Sequence, residues 1–283
     1  MKILVTGANG YIGKYAVQAL LNRKADVVAA DMELSNVDER AIKLRINVFE
    51  ESDKLYELAG KPDVLLHLAW KDGFMHGSDA HMLFLSDHYR LLLDMIHAGI
   101  SQIAVMGSMH EVGYWEGCID ENSPCNPMSL YGIAKDALRR ALFQMTKEGN
   151  VVVQWLRGYY IYGDDMRSSS IFGKIARAAA EGKTAFPFTT GENKCDFISV
   201  EELGCQIAAV TMQREIHGII NCCSGVPTKL SDQVNHFIKD HGYSIQLQYG
   251  AFPDRPYDSP CVWGDPTKIQ AILEKEKINW KAV

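Results

Sequence analysis

The sequence lacks the features that mark membrane-bound and nucleic-acid-binding proteins. None of its apolar runs approaches the roughly 20 residues that a membrane-spanning helix needs, and no charged segment followed by an apolar stretch and a cleavage site opens the chain. Its 29 Lys and Arg face 35 Asp and Glu, giving a net charge of -6. We therefore expect neither nucleic acid nor a membrane as a partner.

Cysteine pairs with the spacing of redox or zinc motifs are also missing. The seven cysteines are an odd number, none forms C-x-x-C, and Cys222 and Cys223 are adjacent. This pattern favours free thiols in a reducing compartment, so we expect a cytoplasmic protein. The histidines His76, His81 and His88 do not share one helix face, and no cysteine or carboxylate completes a set of ligands, so we expect no metal site.

Short apolar runs alternate with helical segments through the first half of the chain. Continuous β-branched runs suit strands that are covered on both faces, and their alternation with helices predicts an α/β fold with a Rossmann-type, doubly wound parallel sheet. Strands are predicted at 2–5, 27–30, 41–47, 64–68, 103–106 and from 151, and helices at 12–21, 79–98 and 129–147.

The pattern becomes irregular after Gly163. We interpret residues 1–163 as a dinucleotide-binding domain and residues 164–283 mainly as a smaller C-terminal α/β lobe for the substrate, with 218–222 returning to the main sheet.

Three glycines follow the first strand and open the first helix. Gly7 allows a tight turn, Gly10 lets backbone N–H groups approach a pyrophosphate, and Gly13 lets the helix pack close to the strand. The helix N-terminus then offers free N–H donors to the phosphates. Because the motif sits at a strand-to-helix junction, it predicts a dinucleotide site.

Asp31 ends the second predicted strand, where a carboxylate accepts hydrogen bonds from the adenosine ribose. The 2′-phosphate of NADP would meet like charge there, so Asp31 favours NAD. The competing interpretation is that Asp31 only ends a strand in a turn.

Tyr131 and Lys135 lie at positions i and i+4 of a predicted helix and therefore share one face. A cation about 4 Å away would lower the pKa of a phenol from near 10 to about 7, where it can both donate and accept a proton. Ser108, just after a predicted strand, could hydrogen-bond a substrate carbonyl. The Y-x-x-x-K pattern alone also fits an exposed helix pair; together with the glycine turn it predicts catalysis.

These residues resemble the extended short-chain dehydrogenase/reductase family, in its nucleotide-sugar epimerase, dehydratase and reductase branch. The resemblance covers nearly the whole chain. The matching segments are Thr6 to Gly13, His67 to Ala69, Ser108, Pro127 to Lys135, Leu156 to Gly163, Cys195 to Val200, Arg255 and Asp265 to Ile269.

The resemblance implies that NAD is the cofactor and that a nucleotide-diphosphate sugar is the substrate. It implies catalysis by Ser108, Tyr131 and Lys135, substrate contacts from Ser108, Tyr160 and Arg255, and a homodimer built on 79–98 and 129–147. The implied cofactor-binding residues are Gly7, Asn9, Gly10, Tyr11, Ile12, Gly13, Asp31, Asn47, Val48, Leu68, Ala69, Trp70, Tyr131, Lys135 and Tyr159.

Departures from the family pattern narrow the chemistry. Counting from the preceding strand places Ser108 at the family's catalytic serine position, whereas counting back from Val112 would place Met109 there. We prefer Ser108 because its side chain has the hydroxyl that the reaction needs. Met109 and His110 stand where 4,6-dehydratases carry an acidic pair, which argues against dehydration. Cys195 stands where the family commonly has an arginine before the Asp-Phe pair. His110 and Glu111 could be spare acid/base groups near the substrate, but we favour a solvated loop for them.

Three functions remain open. The leading hypothesis is an NAD(H)-dependent 4-keto-sugar reductase, which releases its product after one hydride transfer. The alternative is a 4-epimerase, which keeps its NAD and returns the hydride to the other face of the sugar. A non-catalytic NAD-binding sensor or scaffold is a third hypothesis, but it would not need the proton-exchange groups Ser108, Tyr131 and Lys135.

Overall fold

The computed structural model describes residues 1–163, 166, 170–253 and 259–281, with side chains to residue 276. The strands are β1 Lys2–Thr6, β2 Asp26–Asp31, β3 Ile42–Arg45, β4 Val64–His67, β5 Gln102–Ser108, β6 Gly117–Ile119, β7 Val152–Gly158, β8 Tyr160–Tyr162, β9 Ala185–Pro187, β10 Lys194–Ser199, β11 Gly218–Cys222, β12 Pro227–Lys229, β13 Gln246–Gln248 and β14 Cys261–Gly264. The helices are α1 Gly13–Asn22, α2 Leu55–Leu58, α3 Ala80–Leu83, α4 Leu85–His97, α5 Leu130–Met145, α6 Ile171–Ala180, α7 Val200–Thr211, α8 Leu230–Asp240 and α9 Thr267–Lys281.

The main sheet has the order β11-β7-β5-β4-β1-β2-β3 in the described residues, and every pairing within it is parallel. The order reverses at β1, where β2 and β4 lie on either side. A crevice forms at such a reversal, outside the carboxyl ends of the strands, and it is the usual place for a ligand in this kind of sheet. The predicted α/β, Rossmann-type fold is confirmed.

Apolar side chains cover the main sheet on both faces. On one face, β1 and β2 pack with α1, α7 and α9 through a cluster that includes Val17, Leu203 and Ile269. On the other face, β4 and β5 pack with α4 and α5 through a cluster that includes Leu91 and Leu138. This double coverage explains why the central strands are continuously apolar in sequence.

A smaller sheet and two helices form the second lobe. β10 lies between β12 and β14, β14 pairs with β6, and β8 pairs with β10. α6 and α8 enclose a separate cluster of Phe172, Phe197 and Phe237 against this sheet. β11, which follows α7 in the chain, pairs with β7 in the main sheet.

One predicted segment differs in detail from the structure: the single helix expected over 79–98 is divided at Phe84 into α3 and α4. The strand β6 was not predicted, and it pairs with β14 in the second lobe. Among the described residues, no helix has the length and apolar content to cross a membrane.

Candidate active site

The glycine-rich turn is packed directly against the segment that follows β4. Gly7 has a φ of 71°, and a Cβ on it would lie 2.6 Å from the main-chain nitrogen of Ala69. Only glycine tolerates both this conformation and this close approach. The turn and the 68–70 segment therefore form two walls of one crevice above the sheet.

Gly13 brings α1 close to the turn. A Cβ on Gly13 would collide with the carbonyl oxygen of Gly7 and lie 2.8 Å from that of Ala8. α1 begins at Gly13, after Ile12, so the N–H groups of its first turn point back toward the glycine-rich turn, and that of Lys14 donates to the Gly10 carbonyl at 3.3 Å. The glycine-rich turn has no side chains at Gly7 and Gly13, and this leaves a concave stretch of backbone, which we call the cradle, beside the N-terminus of α1. Such an arrangement fits the pyrophosphate of a dinucleotide.

Asp31 lies at the end of β2 beside the same turn. Its Oδ2 accepts a hydrogen bond from the Asn9 backbone N–H at 3.0 Å, and its Oδ1 accepts one from Met32 N–H at 2.8 Å. Asn9 in turn accepts from the N–H of Asn36 through its side chain at 2.8 Å. Each carboxylate oxygen can accept further bonds, so this placement fits a ribose, as the sequence indicated.

Asn47 and Val48 follow β3, next to Asp31. The Asp31 carbonyl accepts a hydrogen bond from Ile46 N–H at 3.0 Å. The Asn47 side chain donates to Glu50 at 2.8 Å, and Val48 is buried in the core. Their assignment to the cofactor remains a prediction, based on their position beside Asp31.

A chain of buried hydrogen bonds supports the wall formed by Leu68, Ala69 and Trp70. Thr6 Oγ1 lies 2.7 Å from His67 Nδ1, and His67 Nε2 lies 2.8 Å from His88 Nδ1. Burial lowers the pKa of His67 to about 3, with the Lys135 charge acting in the same direction. The Trp70 ring stacks on His88 with centroids 4.3 Å apart. These neutral imidazoles fix the orientation of the indole.

Ser108 and Tyr131 meet at the carboxyl end of β5. Ser108 is the last residue of β5, and a hydrogen bond with its side chain acts to lower the pKa of the Tyr131 phenol. α5 begins after Ser129, whose Oγ accepts from Gly132 N–H at 3.2 Å, which holds Tyr131 in the first turn. Met109 lies in a buried apolar cluster. The hydroxyl beside Tyr131 is therefore that of Ser108, as the strand count predicted.

The expected fall of the Tyr131 pKa to about 7 is wrong for this structure. The Lys135 ammonium donates to the carbonyl of Met106 at 2.7 Å and lies 3.5 Å from the centre of the Trp70 ring but 5.8 Å from that of Tyr131. Burial raises the pKa of Tyr131 above its ordinary value, and the charge of Glu111 adds to this effect. Burial also lowers the pKa of Lys135 to about 7. The phenol is consequently protonated at neutral pH.

Three histidines surround Tyr131 that the sequence analysis did not place there. His76 stacks on the phenol ring with centroids 5.0 Å apart, His81 approaches it at 5.2 Å, and His110 packs on His76 at 4.1 Å. The Tyr131 N–H donates to the His76 carbonyl at 3.0 Å. Burial lowers the pKa of His76, and that of His110 to about 3. No sequence pattern signals this grouping, because it depends on how the 71–79 segment folds over α5.

The segment 71–79 also reaches the glycine-rich turn. The Phe74 ring lies 5.9 Å from that of Tyr11, while His76 contacts Tyr131. The segment thus spans from the predicted phosphate site to the predicted acid/base group. Among the described residues, no group of three or more His, Cys, Asp or Glu could hold a metal ion.

The tyrosines after β7 differ in position. Tyr159 is only 6% exposed and lies in a cluster with Cys223 and Val262, so any contact with a cofactor would come from its main chain. Tyr160 is partly buried and contacts Phe197, with centroids 5.7 Å apart. The remaining predicted substrate residue, Arg255, lies outside the described residues.

Asp196 follows Cys195 in the 195–200 segment that resembles the family pattern, and it has a structural role. Asp196 is fully buried and accepts hydrogen bonds from the N–H groups of Ser224, Gly225 and Gly264 at 2.8–3.1 Å. Cys195 itself is buried in the core of the second lobe. Asp196 therefore ties β10 to β14 and to the turn that follows β11.

Comparisons with known proteins agree with this geometry. Residues 3–223 match the model of the NAD dependent epimerase/dehydratase family. A dTDP-6-deoxy-L-talose 4-dehydrogenase (NAD(+)) of Aggregatibacter actinomycetemcomitans is 44% identical, over 93% of this chain and 99% of the relative. A probable UDP-arabinose 4-epimerase of Oryza sativa subsp. japonica is 27% identical, over 99% and 75%.

Solved structures share the fold. A UDP-glucuronic acid 4-epimerase from Bacillus cereus, in complex with UDP-glucuronic acid and NAD, superposes with a TM-score of 0.80 at 23% identity, over 97% of this chain and 93% of that one. The family match confirms the resemblance inferred from the motifs and the prediction of NAD. The chain belongs to the NAD-dependent epimerase/dehydratase family.

Proposed function

We propose that this protein catalyses the NAD(H)-dependent interconversion of a keto group and a hydroxyl at C4 of a dTDP-linked 6-deoxyhexose, with reduction as the direction it favours at neutral pH. The observation that carries the proposal is the 44% identity, over 93% of the chain, to a dTDP-6-deoxy-L-talose 4-dehydrogenase. The hydroxyls of Ser108 and Tyr131 supply the polar groups that such a reaction needs.

The cofactor would lie across the crevice above β1. Its pyrophosphate would rest on the turn from Gly7 to Gly13, and its adenosine ribose would bind Asp31, whose charge disfavours the 2′-phosphate of NADP. NAD(H), when bound, supplies or accepts the hydride. The assignment of the other predicted cofactor residues rests on the family pattern and on their position around this crevice.

Proton exchange is assigned to Tyr131. During reduction the sugar C4 carbon gains a hydride and its oxygen gains the phenolic proton, so the keto group becomes a hydroxyl and the phenol becomes a phenolate. The pKa of Tyr131 is raised by burial, so the phenol is protonated at neutral pH and its release of the proton depends on groups that stabilise the phenolate. Ser108 hydrogen-bonds the same oxygen, and Lys135, when charged, stabilises the phenolate.

Substrate contacts are proposed for Ser108, Tyr160 and Arg255. Within this proposal, residues 1–163 bind the dinucleotide and residues 164–283 mainly bind the sugar nucleotide. His76 and His110 lie close enough to Tyr131 to meet the sugar as well. Neutral imidazoles can both donate to and accept from sugar hydroxyls.

A 4-epimerase is the second candidate, favoured by the 27% identity to a probable UDP-arabinose 4-epimerase over 99% of the chain. An epimerase would use the same Ser108 and Tyr131 but would retain its NAD between turnovers. A non-catalytic NAD-binding sensor or scaffold is disfavoured, because a protein that only binds NAD does not need the hydroxyls of Ser108 and Tyr131 for proton exchange.

We also propose a homodimer formed through α3, α4 and α5. Met82, Leu83, Tyr89 and Ile133 are exposed on these helices, with Leu83 73% exposed, and α4 packs beside α5. Exposed apolar side chains on adjacent helices fit an interface formed by those helices with a second copy of the chain. A cytoplasmic location is proposed from the free thiols of all seven cysteines.

The test uses purified protein with NADH and a dTDP-4-keto-6-deoxyhexose, followed by NADH absorbance and product chromatography. We expect stoichiometric NADH oxidation and weak activity with NADPH. Interconversion of UDP-linked 4-epimers without net NADH oxidation would instead establish the epimerase. Inactivity with both substrate classes would reject the proposed function.

A further inference from the structure

The 3-10 turn directly after β5, Met109–Glu111, ends in a carboxylate that no solvent reaches. Glu111 has an exposure of 0%, contrary to the solvated loop that the sequence suggested. Its Oε1 accepts hydrogen bonds from Ser108 N–H at 2.6 Å and from the Trp155 indole at 2.9 Å, and its Oε2 lies 3.0 Å from the same indole nitrogen. The carboxylate thus holds the main chain of the serine that contacts Tyr131.

Two guanidinium groups face the same carboxylate. The Nε of Arg139 on α5 lies 3.4 Å from Oε2, and Nη2 of Arg157 on β7 lies 3.7 Å from it. Burial raises the pKa of Glu111, and these two arginines with the bonds from Ser108 and Trp155 oppose that effect. Every one of these partners donates or carries positive charge, so the arrangement stabilises the ionised carboxylate.

The sequence around Glu111 is adapted to this contact. A Cβ on Gly107 would lie 2.7 Å from Glu111 Oε1 and would collide with the Trp155 indole. Glycine at the penultimate position of β5 therefore makes room for the carboxylate and its indole donor. Ser108 and Glu111 also form a reciprocal cap, since the Ser108 side chain accepts from the main chain of the turn.

We propose that Glu111 is a positioning residue of the reaction: it fixes Ser108 so that its hydroxyl meets the Tyr131 phenol, and it places a negative charge behind Tyr131 and Lys135. This inference rests on the proposed function. The described groups that face Glu111 are the donors Ser108 and Trp155, the cations Arg139, Arg157 and Lys135, the Tyr131 phenol and the Cys125 thiol. The charge of Glu111 raises the pKa of Lys135, which favours the charged ammonium at neutral pH, and it also raises the pKa of Tyr131, which burial already keeps protonated.

The kinetic test compares E111Q with D136N. E111Q keeps an acceptor for Ser108 but loses the charge. Asp136 is a buried carboxylate that pairs with Arg139 and Arg140 without reaching Ser108. We expect E111Q to lower kcat for reduction by about 10- to 100-fold with KM for NADH within about twofold. D136N should keep kcat within about twofold. Equal kcat values for the two variants would overturn the proposal.

A second measurement does not depend on turnover. Titration of the Lys135 side chain by NMR in the cofactor-free protein should show a lower pKa in E111Q than in the wild type, where it is about 7, and no change in D136N. An unchanged Lys135 pKa in E111Q would refute the proposal that the charge of Glu111 acts on Lys135. If wild-type protein reduces no sugar nucleotide, the proposed function fails, whereas this titration still decides the role of Glu111.

Should E111Q not fold, W155F provides the same test, because it removes one donor to the carboxylate and keeps an aromatic ring in the core. The Glu111 carboxylate would then be less firmly held, and kcat is expected to fall by roughly tenfold while D136N stays near wild type. An unaltered kcat in W155F would contradict the proposal.

Discussion

At the residue scale, the chemistry depends on what surrounds one phenol. Tyr131 hydrogen-bonds Ser108 and is enclosed by His76, His81 and Trp70. The helical spacing correctly placed Tyr131 and Lys135 in one helix, but it could not reveal that Lys135 would turn to Met106 and Trp70. A pKa depends on burial and on charges from distant parts of the chain, which local spacing does not contain.

Replacing Tyr131 by Phe should remove the proton donor and keep the ring packing. We expect kcat for reduction to fall on the order of 100- to 10,000-fold, the usual contribution of general acid catalysis. The Kd for NADH should change by no more than about threefold, as measured by fluorescence titration. Wild-type turnover in Y131F would exclude Tyr131 as the acid.

The pH dependence of reduction follows from Lys135. Its pKa is lowered to about 7 in the cofactor-free protein, so the ammonium is charged below that pH and neutral above it. A neutral amine no longer stabilises the phenolate that forms as Tyr131 gives up its proton. kcat/KM for NADH, which reports groups of the free enzyme, should therefore fall as pH rises through about 7. A profile that rises over this range would contradict the assignment.

At the element scale, the sequence predicted most of the first half because each signal there is local. Apolar runs identified β1, β2, β4 and β5, and the glycine spacing identified the start of α1. The sequence did not indicate the division of the 79–98 helix at Phe84, nor the pairing of β6 with β14, because both depend on packing between distant segments. The burial of Glu111 and the contact of His76 with Tyr131 were not predicted for the same reason.

The contact between α1 and the glycine turn can be tested with G13A. A methyl group at Gly13 would meet two carbonyl oxygens of the backbone, which cannot move aside as a side chain can. We expect the free energy of unfolding to drop by about 3 kcal/mol and NADH binding to be lost. G149A, in an exposed turn where the nearest atom to an added Cβ lies at 3.9 Å, should match the wild type in urea denaturation. Normal NADH binding by G13A would contradict the proposed cradle.

At the scale of the whole molecule, two clusters of apolar residues cover the main sheet and a third stabilises the smaller lobe. β11 pairs with β7 in the main sheet, and Asp196 on β10 accepts hydrogen bonds from the turn that follows β11. The helices α3, α4 and α5 lie at the surface and expose apolar side chains there; α5 is also the helix that carries Tyr131.

The proposed dimer predicts a different mass for one surface variant. L83D places a charge at the most exposed of the four apolar side chains named above and should yield monomers in sedimentation velocity, because an unpaired carboxylate would be desolvated at the interface. L58D, at an exposed leucine on α2, should sediment as the wild type does. A wild-type protein that is already monomeric at micromolar concentration would disprove the interface.

The most direct measurement follows the hydride. Wild-type protein and Y131F are incubated with a dTDP-4-keto-6-deoxyhexose and NADH in which both hydrogens at C4 of the nicotinamide are deuterium, and the product is examined by NMR and mass spectrometry. The account predicts one deuterium at C4 of the sugar for each NADH consumed, and nearly none with Y131F. A product without deuterium at C4, or an equal yield from both proteins, would contradict it.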